Sequence, residues 1–355
     1  MTSHPFAQDT KEFGIYSFSN NTVSPTGQLF FLDKVSEGLI SFIADGKFGL
    51  VATDRGKVSI FSLGQQANAV ALYADYRPKT CYADSIAPDP ADPSRAYILD
   101  VNVSGGICAV TMDSSGKVTD HGAVLTIASA KQLLFPPAAA TSKDAIVVSL
   151  SGVVTLVDWT SHIPVLSINA FDTVDREGSP DAIVSAATLT ADGQYLLVLD
   201  DNAVMGTMRF AALRVNWAAR TVERVQIIAN SRQVSFPDPV AVVASPFNNL
   251  VLVSSAEGNA ILQLKYNPAD STTPFALLDP VSITTTKPQL PNTMVLLAPD
   301  AGPDSMRGRV MVAELSGVRQ LQFMPDGSVV DMGLTDSEEA SAGSAGIIGA
   351  FGVQQ

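Results

Sequence analysis

The stretch from Pro239 to Tyr266, PVAVVASPFNNLVLVSSAEGNAILQLKY, sets three short apolar runs between two tight turns. Val240 to Val243, Leu250 to Val253 and Ile261 to Leu264 are rich in β-branched residues and leucine, whereas Pro246-Phe247-Asn248-Asn249 and Glu257-Gly258-Asn259 carry turn chemistry. Consecutive antiparallel strands are the expected outcome. The same order of strand, turn, strand, turn, strand recurs in Ser41 to Leu63, in Val184 to Asn202 and in Thr293 to Phe323. Self-similarity at such a spacing constrains architecture more than any single motif does.

With the strands of each repeat labelled A to D, six full repeats are read. They run from Leu39 to Arg77, Asp84 to Ile127, Lys131 to Phe171, Ala182 to Ala229, Pro239 to about Leu278, and Asn292 to Thr335. The run Ala145 to Val157 is interrupted by Ser149, Ser151 and Gly152 and flanked by Asp144 and Asp158, so it reads as two buried strands rather than a membrane span. Phe13 to Val35 resembles the C and D part of a repeat with no A or B strand before it, and Ser344 to Gln355 holds a lone apolar segment. The two ends are expected to combine into a seventh unit. Four-stranded sheets hide both faces when stacked radially, so the expected fold is all-β: a seven-bladed β-propeller, 1–355 as one domain, with 1–12 as a loosely ordered leader.

Lys and Arg number 22 against 35 Asp and Glu, a formal net charge of -13. That balance opposes binding to nucleic acid or anionic lipid. No charged-then-apolar leader precedes the repeats, which leaves a cytoplasmic or a mature secreted or periplasmic location open. Cys81 and Cys108 are placed on the first and third strands of one repeat, and two buried thiols are expected because the second strand would separate them. A disulfide in an oxidising compartment is the alternative.

The A-D-G turn at Ala44-Asp45-Gly46, the runs LVATD (Leu50 to Asp54) and YLLVLDD (Tyr195 to Asp201), and VSIFSL (Val58 to Leu63) together resemble the seven-bladed lactonase-like propellers, the group of 6-phosphogluconolactonase and fungal carboxymuconate cyclase. The resemblance covers nearly the whole chain. It implies opening or closing of lactones of small anionic acids at the top of the ring by His, Arg and Glu side chains. The chain departs from that pattern in holding only three histidines: His4 lies in the leader, and His121 and His162 fall on C to D hairpins, away from that face.

In a propeller the D to A and B to C connections share the top face. The B to C turns supply Asp100, Asn102, Asp200, Asp201 and Glu314, oxygen donors of the kind a Ca²⁺ ion takes, although Asp and Asn are also simply good turn formers. The D to A connections supply Arg77, Lys79, Lys131, Arg232 and Lys287 as candidate binders of a carboxylate or phosphate, with similar numbers of cations on the opposite face. Tyr73, Tyr76 and Tyr82 flank two of them. The segment Asp172 to Asp181 holds Arg176 beside Glu177, a candidate substrate clamp and general acid or base. Nucleotide, serine-hydrolase and structural-zinc motifs are absent from the sequence. Two functional classes follow: a lactonase-like or cyclase-like enzyme acting on a small anionic molecule, or a non-catalytic propeller that binds a ligand or a protein. In either case a monomer is expected.

Overall fold

The structure is a computed structural model that describes residues 12–19, 22–31, 38–43, 46–53, 56–63, 70–137, 140, 142–171, 182–202, 207–229, 237–283, 286–297, 307–315, 317–336 and 350–351. A hairpin of β1 (Glu12–Ser19) and β2 (Thr22–Phe31) and a short β3 (Gly38–Leu39) precede the repeats. The first blade is β4 (Ser41–Ile43), β5 (Phe48–Ala52), β6 (Val58–Leu63) and β7 (Val70–Tyr76). The second is β8 (Ser85–Pro88), β9 (Arg95–Leu99), β10 (Gly106–Met112) and β11 (Val118–Thr126). The third is β12 (Ala130–Leu134), β13 (Asp144–Ser149), β14 (Val153–Asp158) and β15 (Ile163–Asn169). The fourth comprises β16 (Val184–Leu189), β17 (Tyr195–Asn202), β18 (Thr207–Asn216) and β19 (Thr221–Ala229). The fifth comprises β20 (Pro239–Ala244), β21 (Leu250–Ser255), β22 (Ala260–Tyr266) and β23 (Phe275–Leu277). The sixth comprises β24 (Met294–Leu296), β25 (Arg309–Glu314), β26 (Gly317–Phe323) and β27 (Val329–Asp336), and β28 (Ala350–Phe351) ends the described chain.

Each blade is an antiparallel meander whose strands pair in chain order. The first strand of each lies against the first strand of the next, from β4 and β8 through to β20 and β24, so these strands form the inner wall of a β-propeller. The inner wall is stitched by side chains. Ser41 Oγ donates to the Ile86 carbonyl at 2.8 Å, Ser85 Oγ to the Lys131 carbonyl at 2.8 Å, and Ser185 Oγ to the Pro239 carbonyl at 2.6 Å. Between the third and fourth blades Gln132 Oε1 does the same work, accepting from the Ala187 N–H. A buried backbone carbonyl or N–H that found no such partner would cost free energy, so these latches hold adjacent inner strands in register.

Between successive blades lie five apolar clusters, one at each junction from first–second to fifth–sixth. Ile146, Val148, Val154 and Leu156, all 0% exposed, face the fourth blade, while Ala145, Val147 and Val157 of the same two strands face the second. Both sides of the two strands are thus in core, which explains why they are apolar on both faces where a one-sided strand would alternate. Burial of each such large aliphatic side chain contributes about 1.5–3 kcal/mol. On the lower rim, Tyr266 donates to Asp192 Oδ2 at 2.9 Å across the fourth and fifth blades, and Arg220 of the fourth blade reaches Asp144 and Asp158 of the third.

The six repeats read from the sequence coincide with the six blades to within two residues, but the described residues form six four-stranded sheets rather than the seven expected. The hairpin β1–β2 forms as expected and remains two-stranded. The C-terminal segment expected to widen it sends β28 elsewhere: Ala350 and Phe351 pair in parallel with Gly38 and Leu39 at the entry to the first blade. Two residues of parallel pairing with β3 cannot complete a four-stranded antiparallel sheet. The hairpin nevertheless stands between the ends of the ring, since β2 approaches the outer strands β7 and β27 of the first and sixth blades.

A second correction concerns the cysteines, which form a disulfide, Cys81–Cys108. Cys108 lies on β10 as expected, but Cys81 is not on a strand: it belongs to the connection that enters the second blade ahead of Ser85. That connection carries Cys81 and Ala83 into the apolar cluster between the first two blades, alongside Cys108. No strand intervenes. Closing a loop with a sequence separation of 27 removes chain entropy from the unfolded state, roughly 3–4 kcal/mol in the loop-closure model. Unfolded, non-reduced protein is therefore expected to show no maleimide-reactive thiol, and the Cys81→Ser/Cys108→Ser variant to melt several degrees lower. Two reactive thiols, or an unchanged melting temperature, would count against the bond.

Candidate functional site

All inner strands begin on one face, where the connections from outer to inner strand meet the turns between second and third strands. Acids at the ends of second strands share a common task there. Asp100, just after β9, is 6% exposed; its Oδ2 accepts the Tyr82 N–H at 2.9 Å and its Oδ1 accepts the Asn102 N–H at 2.9 Å and Nδ2 at 2.6 Å. Asp200, at 0% exposure on β17, accepts the Ile183 N–H at 3.0 Å and Arg209 Nε at 2.8 Å. Glu314, closing β25, accepts the Gln289 N–H at 3.4 Å and both Nε and Nη2 of Arg319. In the second, fourth and sixth blades, therefore, a carboxylate at the end of the second strand holds the incoming connection by its backbone N–H. Charge-assisted bonds of this kind are roughly twice as strong as neutral ones.

Two of these carboxylates are also neutralised by an arginine on the adjacent third strand. Arg319, on β26, is entirely buried, and it bonds Glu314, the Asp331 carboxylate of β27 at 3.2 Å and the Thr286 carbonyl. Burial works against its charge, but Glu314 and Asp331 overcome that and hold its pKa above the ordinary guanidinium value. A buried triad of this kind is poor evidence for net stabilisation, yet removing one member leaves uncompensated charge. Sequence reasoning singled out Asp200 and Glu314 but missed Arg209 and Arg319; the signal was an arginine on the third strand, close after an acid ending the second.

The candidate cation ligands are not brought together. Asp100 and Asn102 belong to the second blade, Asp200 and Asp201 to the fourth and Glu314 to the sixth, and the Asp201 N–H is bonded to the Ile183 carbonyl at 2.9 Å. Among the described residues no three or more His, Cys, Asp or Glu side chains group so as to hold a metal ion.

The cations are spread along the radius of the face. The Lys79 N–H donates to Asp120 Oδ2 at 3.1 Å, which sets it and Arg77 beside the outer strand β11 rather than at the channel. Burial raises the Asp120 pKa, but Tyr76 and the N–H groups of Gly122 and Lys79 outweigh it, and the carboxyl stays below its usual range. Burial, reinforced by Asp120, pushes the Tyr76 phenol up and keeps it neutral. Tyr82 is 42% exposed, and its ring covers Gly56, whose φ of 68° and lack of a Cβ allow the approach. Lys287 is exposed beside Thr286. Among the described candidate cations, Lys131 alone sits on an inner strand, with its Nζ 3.8 Å from Asp84 Oδ2. Arg232, the pair Arg176 and Glu177, and the side chain of Tyr73 lie outside the described residues. His121 bonds Thr111 on the outer strands and His162 packs on Trp159 at 5.2 Å in a third-to-fourth-strand turn, both off the candidate face.

These contacts set two expectations. Arg319→Met should destabilise the protein by about 3–5 kcal/mol, because two buried carboxylates lose their counter-charge; an unchanged denaturation midpoint would show the triad to be dispensable. Thermal melts in millimolar Ca²⁺ and in EDTA should superimpose, since Asp100, Asp200 and Glu314 are held apart in separate blades, and a rise of several degrees with Ca²⁺ would show otherwise.

No family model matches the sequence, and no curated protein matches it. Solved structures do. A protein from Lactobacillus plantarum superposes with a TM-score of 0.62 at 12% identity, covering 92% of this chain and 96% of its own. The periplasmic gluconolactonase PpgL of Pseudomonas aeruginosa gives 0.60 at 12% identity, over 90% of this chain and 91% of its own. Sqt1 from Chaetomium thermophilum gives 0.57 at 13% identity, over 87% and 75%. At such identities the likeness is one of fold alone, a β-propeller that this chain shares with proteins as different as PpgL and Sqt1.

Proposed function

We propose that the protein acts on a small anionic molecule at the top-face channel mouth, as a lactonase-like or cyclase-like enzyme, with Arg176 as substrate clamp and Glu177 as general acid or base. The observation that carries this assignment is the commitment of Asp100, Asp200 and Glu314 to backbone N–H groups, and of the last two to arginines as well. Carboxylate oxygens already taken by protein donors offer a substrate few free acceptor positions. The acid beside an arginine in the connection between the third and fourth blades then becomes the leading source of acid–base chemistry. The likeness of fold to a periplasmic gluconolactonase supports the substrate class. The Cys81–Cys108 bond supports an oxidising compartment, where such bridges persist.

A second reading, a non-catalytic propeller that binds a protein, rests on a different observation. The outer strands expose Ile163 and Val165 on β15, at 59% and 41%, and Val330 and Met332 on β27, at 41% and 44%. The likeness to Sqt1 is compatible with it. A screen of lactones with wild type and Glu177→Gln separates the two. The enzyme reading expects hydrolysis by wild type and a loss of about 100-fold or more in the variant. Equal rates would remove Glu177 from the mechanism, and no turnover of any lactone by wild type would favour the binding platform.

A further inference from the structure

The connection from the third blade to the fourth leaves and returns at one place. Phe171, 4% exposed, precedes residues 172–181, and Ala182 and Ile183 follow them. A Cβ placed on Gly152, in the turn between β13 and β14, would lie 3.2 Å from both the Phe171 ring and the Ala182 Cβ; its φ of 84° and bare Cα leave room for the two flanks to close there. When the two ends of a segment meet, whatever holds them also sets how far the segment can stray.

One ion pair reaches both flanks. Arg209, on β18, places its guanidinium carbon 4.6 Å from the centroid of the Phe171 ring at the outgoing end. Its Nε and Nη2 donate to Asp200 Oδ2 at 2.8 and 2.6 Å, and Asp200 Oδ1 accepts the Ile183 N–H at 3.0 Å at the returning end. Asp200 is fully buried and Arg209 is 18% exposed, so solvent screens the pair little. The backbone on each side is fixed as well. The Ala170 N–H donates to the Gly152 carbonyl at 2.9 Å, the Val184 N–H to the Leu150 carbonyl at 2.8 Å and the Asp201 N–H to the Ile183 carbonyl at 2.9 Å. A guanidinium suits this position because its flat face stacks on a ring while its edge donates to a carboxylate, a combination that an ammonium lacks.

We infer that Arg209 is the positioning residue of the segment 172–181: through Phe171 and Asp200 it ties both ends, and with them the Arg176 and Glu177 that the segment carries. The inference rests on the enzyme reading above and deepens it by a residue that touches no substrate. A role in stability alone would leave the rate of the folded protein unchanged. A positioning role shows in the rate, since displacing a reacting group by about 1 Å costs on the order of 100-fold.

Two measurements on the full chain test this. Hydrogen exchange read by mass spectrometry reports the tie itself. Arg209→Lys keeps a counter-charge for Asp200, and Phe171→Leu leaves the ion pair intact. Each should speed exchange of the amides from Phe171 to Val184 by about tenfold or more, whereas Val251→Ala, a cavity in the fifth blade, should not. Unchanged exchange in both variants overturns the inference whatever the activity. A double-mutant cycle reports the consequence. On a lactone that wild type hydrolyses, Arg209→Lys should lower kcat by about 10- to 100-fold, but by no more than about threefold in a Glu177→Gln background, because it acts through the group already removed. Equal losses in the two backgrounds would make Arg209 a purely structural residue, overturning the inference and sparing the enzyme reading. A wild type that hydrolyses no lactone sinks the enzyme reading, and faster exchange in both variants would then still support Arg209 as the anchor of the segment.

Discussion

Every blade depends on its neighbours to bury its two faces. A four-stranded antiparallel sheet has two apolar sides here, as the alternation of Ala145, Val147 and Val157 with Ile146, Val148, Val154 and Leu156 makes plain, and no blade could keep both dry alone. The inner-strand latches from Ser41, Ser85, Gln132 and Ser185 turn that non-directional demand into a defined register. Apolar burial supplies most of the free energy, and hydrogen bonds from side chain to neighbouring backbone decide how the blades align.

On that frame the top face divides into two kinds of residue. Asp100, Asp200 and Glu314 hold incoming connections, and Arg209 and Arg319 hold two of those carboxylates, so charge that looks functional in one dimension is spent on positioning loops. The connection into the second blade illustrates the consequence. Asp120 fixes it at Lys79, the disulfide at Cys81 and Asp100 at Tyr82, which leaves the entry to β8 with little conformational freedom. A site built on such a frame is preorganised.

The candidate site was less legible than the fold because residue type and turn position do not reveal partnership. Arg77 and Lys79 belong to a connection between blades, which in a generic propeller would lead to the mouth; here the connection is pinned against the outer strand first. Cys81 was placed on the first strand of its repeat, whereas that strand begins only at Ser85. Asp84 drew no notice, since an acid before a strand is common and its relation to Lys131 spans two blades. The serine latches did leave a trace in the repeated serine of Ser41, Ser85 and Ser185 near the starts of their inner strands, which an alignment of the repeats displays.

Local pattern by itself determined the strands, their antiparallel order, the turns and the six repeats, because a period-two or fully apolar run bounded by Gly, Pro, Asn and Asp has few other stable conformations. The pairing of the chain ends, the Cys81–Cys108 bond and the partners of the charged side chains were decided only in three dimensions. Each depends on contacts between residues distant in sequence: Phe351 on Leu39, Cys81 on Cys108, Arg319 on Asp331, Lys131 on Asp84. Such contacts are set by how whole sheets pack, and many sequences with the same local pattern would have settled them differently.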